Sequence, residues 1–141
     1  MQRKKLFRIL NWVIIIYCGI GILLYSLQEK ILLHPKPLSS NHVFNFNQPF
    51  EEVNIAFNKT DTLNIIKFAS TDSIKKGIVL YFHGNKDNVE HYAPFVPAFT
   101  KKGYEVWMPD YPGFGKSTGE LTEQKLYSLA YEIKKLAETK Y

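Results

Sequence analysis

Two short apolar runs, each halted by a turn-forming cluster and separated by a helix-sized stretch of chain, leave this sequence few folds to choose from. The first, Ile78 to Phe82, is continuous, rich in β-branched and aromatic residues, and stops at His83-Gly84-Asn85. Such a run suits a strand covered on both faces, so a central position in a parallel sheet is expected. The second, Val106 to Met108, ends at Pro109-Asp110. Parallel neighbours need a long crossover, and the stretch between the runs is read as loop plus helix, giving a right-handed β-loop-α-β unit. Both turns then fall at the carboxyl ends of parallel strands, where open α/β sheets place their ligand sites.

The flanks extend the α/β pattern. Glu52 to Asn58 alternates with period two, Asn58-Lys59-Thr60-Asp61 is a turn signal, and Leu63 to Phe68 resumes the apolar pattern, so an antiparallel hairpin should precede the parallel unit. After Asn85 the chain is loop-like. Pro94 and Pro97 put a helix start near residue 93, with Phe95, Val96 and Phe99 on its apolar face and Gly103 as its stop. A second helix is capped by Thr122 and carries Leu126, Leu129, Ala130, Ile133, Leu136 and Ala137 on one face.

Upstream lies a different kind of sequence. Ile9 to Leu27 is 19 residues without a charged side chain, within the ~17–25 that cross a bilayer as a helix. Arg3, Lys4, Lys5 and Arg8 precede it and Gln28-Glu29-Lys30 follow. Residues 1–8 therefore read as a cytoplasmic basic terminus, 9–28 as a single-pass transmembrane signal anchor, and the rest as lying beyond the membrane, in a periplasmic or other extracytoplasmic space. A cleaved signal peptide is the rival reading, but Leu24-Tyr25-Ser26-Leu27 lacks the small residues of a cleavage site. Residues 29–50, with Pro35, Pro37 and Pro49, read as an extended tether whose Leu32, Leu33 and Phe44 could dock on the fold; 51–141 form the folded domain.

This layout also explains the net charge of +5. Four of the 18 basic residues occupy the first eight positions and all 13 acidic residues follow residue 28, so the remaining chain sets 14 basic against 13 acidic residues, an excess of +1. The excess signals topology and gives no reason to expect nucleic acid as a partner. Cys18, the one cysteine, lies inside the apolar run, so no disulfide framework is expected; no Cys/His spacing suggests a metal site, and no cofactor is implied.

Chemistry is expected at the two turns. A glycine-containing turn after a buried strand can aim backbone N–H groups of Gly84 and Asn85 at a developing negative charge, as an oxyanion hole does in acyl transfer. The His83 imidazole is read as a structural side chain satisfied by neighbouring loops. Gly115-Lys116-Ser117-Thr118-Gly119 matches the G-x-S-x-G string, but an elbow needs a strand entering directly and a helix leaving directly, and this loop has neither. All four histidines precede Ser117 and no aspartate follows it, so Ser117 is not expected to be a nucleophile. The same loop nearly matches a phosphate-binding loop, with Asp110 where its first glycine belongs and Pro112 removing a backbone donor; nucleotide binding is not expected. Gly113, Gly115 and Gly119 are read as permitting a tight loop against the His-Gly-Asn turn.

Leu80-Tyr-Phe-His83-Gly84-Asn85, followed by Gly103 to Ser117 with its Asp110-x-x-Gly113-x-Gly115-x-Ser117 loop, resembles the α/β-hydrolase superfamily, within it the membrane-anchored serine hydrolases of the serine-aminopeptidase-like branch. The segment Gln28 to Pro35 is similar to that group's lead-in, and the likeness runs from about residue 12 to 141. The resemblance implies that Asn85, with Gly84, supplies an oxyanion donor and that His83, Asp110, Gly113, Gly115 and Ser117 belong to structural loops. It also implies a nucleophile, acid and base on later elements, none of which has a counterpart in these residues. The chain is thus expected to be the N-terminal half of a hydrolase that acts on an acyl ester, thioester or amide through an acyl-enzyme, inactive by itself. In the family's strand order, Ile78 to Phe82 would then show an unpaired apolar edge. The alternative is a non-catalytic, membrane-anchored binding module that uses this edge to hold a partner.

Overall fold

The computed structural model describes residues 2–140. They form two units, one ending at His34 and one beginning at Pro35.

The first unit is a single helix, α1 (Gln2–Leu32), of 31 residues and no buried side chain. Its 18-residue apolar window has a mean hydropathy of 2.0, and it is long and apolar enough to cross a membrane. The helix stops just before His34-Pro35, as expected because a proline disfavours helical geometry in the residue before it.

The second unit is built on four strands, β1 (Phe50–Ala56), β2 (Thr62–Phe68), β3 (Gly77–Leu80) and β4 (Tyr104–Pro109), in the order β1-β2-β4-β3. β1 and β2 are the expected antiparallel hairpin, in register from Phe50 opposite Phe68 to Ala56 opposite Thr62. Its turn is fixed by Asn58, whose Oδ1 accepts the backbone N–H groups of Thr60 and Asp61 at 2.8 Å each. β2 pairs antiparallel with β4, and β4 pairs parallel with β3.

The sheet departs from the central place read from the first apolar run and agrees with the unpaired edge that the resemblance implied. β3 lies at the edge, with all four residues only half-buried. Its apolar run has the composition of a strand with two neighbours, but only β4 stands beside it among the described residues. β2 has the two-sided burial instead, with Leu63, Asn64, Ile65, Ile66 and Phe68 all buried.

The crossover between β3 and β4 also starts earlier than the prolines suggest. Asn88 caps α2 (Val89–Tyr92) by accepting Glu90 N–H at 3.0 Å; a 3₁₀ turn (Ala93–Phe95) and α3 (Pro97–Thr100) follow. Each proline sits in a first turn, where its missing N–H costs nothing, so the crossover is divided into short pieces at Pro94 and Pro97. α4 (Glu123–Glu138) starts at its expected cap, with Thr122 Oγ1 accepting Lys125 N–H at 3.2 Å.

Two layers cover the sheet. On one face Ile66, Phe68, Val106 and Met108 pack with Val89, Ala93 and Val96 of the crossover and with Phe44. Phe44 comes from the segment before β1, which is laid on the domain: Leu38 N–H donates to Gly115 O at 2.7 Å, and Phe46 stacks on Phe44 and meets Phe50 and Phe68 edge-on. Of the docking residues expected there, Phe44 enters the core. The opposite face carries Leu63, Ile65 and Trp107 and is covered by α4, whose Leu129 and Ile133 are fully buried.

Candidate active-site loops

β3 and β4 run parallel and end side by side, so the His83-Gly84-Asn85 turn and the Asp110–Ser117 loop emerge together. Their junction is a buried polar pair. Asp110 Oδ1 lies 3.2 Å from His83 Nε2 and accepts Val89 N–H at 2.9 Å, joining the end of β4, the turn and the start of α2 through one oxygen. His83 Nδ1 donates to Gly84 O at 2.8 Å. Both ring nitrogens therefore have partners, and the ring is stacked on Tyr92 with Tyr111 and Phe114 against it. His83 is thus buried with both ring nitrogens engaged.

The turn itself is exposed at Gly84 and Asn85. A Cβ on Gly84 would meet Tyr92 Oη at 2.7 Å, so a larger residue there requires the Tyr92 ring to shift. Tyr111 hydroxyl donates to His83 O from below. Burial, with smaller contributions from Tyr92, Asp110 and Tyr81, pushes the Tyr111 phenol up to about 12, which keeps it a donor.

The second loop is locked by Asp110 and Ser117. Ser117 Oγ donates to Asp110 O at 2.6 Å and accepts Asn64 N–H at 2.9 Å. The hydroxyl is buried, and its proton and an oxygen lone pair are both committed to main chain, which is the opposite of an exposed nucleophile. Gly115 has φ +50° and lies so close to Asp110 Oδ2 that an added Cβ would be 1.8 Å from it. That oxygen has no hydrogen-bond partner among the described residues. Lys116 turns away from any phosphate-like position: its ammonium is held by both Glu52 oxygens at 2.8 and 3.1 Å and lies 4.9 Å above the Phe44 ring. The loop thus lacks both functional groups of a phosphate cradle.

The structure brings together all seven residues of the two sequence motifs, with His83, Asp110 and Ser117 buried and Gly84 and Asn85 facing out. Sequence reasoning missed Tyr92 and Tyr111, which flank His83, and Asn64, which anchors Ser117. Asn64, a buried polar residue inside an otherwise apolar strand, was the signal; its Nδ2 donates to Glu52 and to Asn54, at 2.8 Å each.

A family model described as "Serine aminopeptidase, S33" matches residues 73–132, the stretch that holds both loops. An esterase of Pyrococcus furiosus, solved in two crystal forms, superposes with TM-scores of 0.51 and 0.52 at 22% and 21% identity, over 75% and 76% of this chain. The fold is that of the N-terminal part of an α/β-hydrolase. The chain spans 43% and 41% of the two esterase chains. A protein described as a predicted CIB-like hydrolase from Thermoplasma acidophilum aligns at 27% identity and a TM-score of 0.43, over 62% of this chain and 44% of that one. Within this α/β-hydrolase framework, β3 carries the His-Gly-Asn turn, β4 carries the glycine loop, and α4 returns along the sheet.

Proposed function

We propose that this chain is the N-terminal part of a membrane-anchored serine hydrolase that cleaves an acyl ester, thioester or amide through an acyl-enzyme. In this reading the backbone N–H of Asn85, next to Gly84, donates to the oxyanion, and residues 1–141 alone are inactive. Residues 9–28 are the anchor, with the N-terminus cytoplasmic and the folded unit on the far side; 29–50 link the two, and 51–141 hold the hydrolase portion.

One observation carries the reading. The exposed turn at the end of β3 is braced from behind by a fully buried His83–Asp110 contact, while the serine of the adjacent loop is committed to main-chain bonds. Backbone donors held in a braced turn can stabilise a tetrahedral intermediate, since donors fixed in advance need no reorganisation as charge develops. The nucleophile must then come from another element. α1 supports the anchor by its length and hydropathy, and the positive residues before it support the orientation.

A fluorophosphonate probe tests this. Residues 1–141 should remain unlabelled, whereas a longer protein read from the coding sequence beyond residue 141 should label at a serine in a later G-x-S-x-G. In that protein Asn85→Pro, which deletes the N–H, should slow labelling about 10²–10³-fold. Labelling of the short chain at Ser117 would overturn the reading, and an unchanged rate in Asn85→Pro would remove Asn85 from it.

A further inference from the structure

The segment before β1 is bonded into both candidate loops. Lys36 N–H donates to Asp87 O at 3.3 Å, two residues past Asn85. Lys36 O accepts from the two loops at once, Asn88 Nδ2 at 3.0 Å and Gly115 N–H at 3.2 Å. Leu38 N–H then donates to Gly115 O at 2.7 Å, and Pro37 forms a parallel bridge with Gly115. A stretch that reads as a tether in the sequence thus ties the chain leaving the His-Gly-Asn turn to the glycine loop.

The chain it holds is strained. Asp87 has φ +62°, the one non-glycine residue at positive φ among the described residues. Such a conformation persists only where the surrounding structure over-determines it. Asp110 fixes the two ends of this stretch, through His83 before the turn and Val89 N–H at the start of α2. Between those ends, Asp87 and Asn88 are held by Lys36. Asn88 is 1% exposed and divides its side chain between two tasks: Oδ1 accepts Glu90 N–H to cap α2, and Nδ2 reaches Lys36 O.

We propose that Lys36, through its main chain, and Asn88, through its amide, are positioning residues for the Asn85 N–H. They clamp the outgoing side of the oxyanion turn, which makes the segment before β1 a working part of the site. Neither touches the reacting atoms; both act through Asn85. The proposal rests on the acyl-transfer reading above.

Two variants of the longer protein, compared with wild type at matched folded concentration, test the clamp. Lys36→Pro deletes the N–H to Asp87 O at an exposed position that Pro37 already restricts to extended backbone. Asn88→Ser keeps an oxygen to cap α2 and loses the amide that reaches Lys36 O. Each should slow fluorophosphonate labelling about tenfold or more, because misplacing a catalytic group costs rate steeply. With a p-nitrophenyl ester, kcat should fall and KM stay constant, the mark of a contact expressed only in the transition state. Neither variant should slow labelling further once Asn85→Pro is present, since the donor being positioned is then gone. A wild-type longer protein that takes no label refutes the acyl-transfer reading and the clamp with it. A labelled wild type overturns the clamp alone if the variants react at its own rate, raise KM at constant kcat, or lose the same factor with and without Asn85→Pro.

Discussion

Asp110 and His83 meet inside the domain, Oδ1 to Nε2 at 3.2 Å, with neither side chain touching solvent. The carboxylate also holds Val89 N–H, so its removal would strand a ring nitrogen and a backbone donor together. Breaking a buried pair by deleting one partner costs about 3–5 kcal/mol, because the remaining group stays desolvated. Asp110→Ala should lose stability on that scale in a urea titration. A loss below about 1 kcal/mol would mean that the pair does not brace the turn.

The same carboxylate makes Gly115 irreplaceable. Alanine there adds a positive-φ penalty of about 1–2 kcal/mol and drives its Cβ into Asp110 Oδ2, within the fixed frame of the pair above. Gly113 also has positive φ, at +81°, but its added Cβ would meet only Gly119 O, at 3.3 Å. Gly115→Ala should therefore destabilise clearly more than Gly113→Ala when both are unfolded by urea. Equal midpoints would remove the steric argument.

These two positions show what was legible in the sequence. The hairpin, the two parallel strands and α4 could be read because alternation, apolar runs and a Thr122 cap are local signals. The loop residues Asp110, Gly113, Gly115 and Ser117 could be found as a motif, but not what each one touches. The Lys116–Glu52 and Ser117–Asn64 contacts bridge more than fifty residues and exist only after β1, β2 and the loop assemble. β3 misled for a physical reason: an apolar run records the burial a strand is suited to, whereas its place in the sheet depends on which neighbours are present. The crossover misled because Pro94 and Pro97 each fit a first helical turn, and local rules do not say how many short helices will form.

Ser117 provides a test that separates structure from chemistry. Its hydroxyl is the acceptor for Asn64 N–H, and Ser117→Ala leaves that buried donor unpaired at a cost of about 1–3 kcal/mol. The expected signature is a lower unfolding midpoint. If the longer hydrolase protein is made, the variant at matched folded concentration should still label with a fluorophosphonate, because the attacking serine lies elsewhere. Complete loss of labelling with unchanged stability would reverse the assignment.

Two carboxylates should govern acid stability. Hydrogen bonds from Lys125 and Asn58 hold Asp61 below its ordinary value of 3.8. At Glu105 partial burial pushes upward, but hydrogen bonds from Lys140 and Trp107 win and leave it below 4.5. A carboxylate lowered in the native state binds fewer protons there than in the unfolded chain, so its contribution is complete above the ordinary value and fades as pH falls through the folded one. Urea midpoints measured from neutral pH down into the acid range should fall less steeply for Asp61→Asn and Glu105→Gln than for the wild type. Parallel curves would show that neither contact matters.

At the alkaline end the sign reverses and a single phenol is responsible. Burial raises Tyr111 to about 12 in the folded unit, whereas an unfolded tyrosine ionises near ~10. The native state thus keeps a proton that the unfolded chain releases. Its contribution is complete below the unfolded value and is lost as pH rises between the two. Tyr111→Phe forfeits the hydrogen bond to His83 O, costing about 1 kcal/mol at neutral pH. It also removes the titrating group, so its urea midpoint should decline more gently than that of the wild type through this alkaline window. Tyrosinate absorbance should show the corresponding late-ionising phenol in the wild type and not in the variant. If the two proteins lose stability in parallel, Tyr111 is not held neutral by its burial beneath the turn.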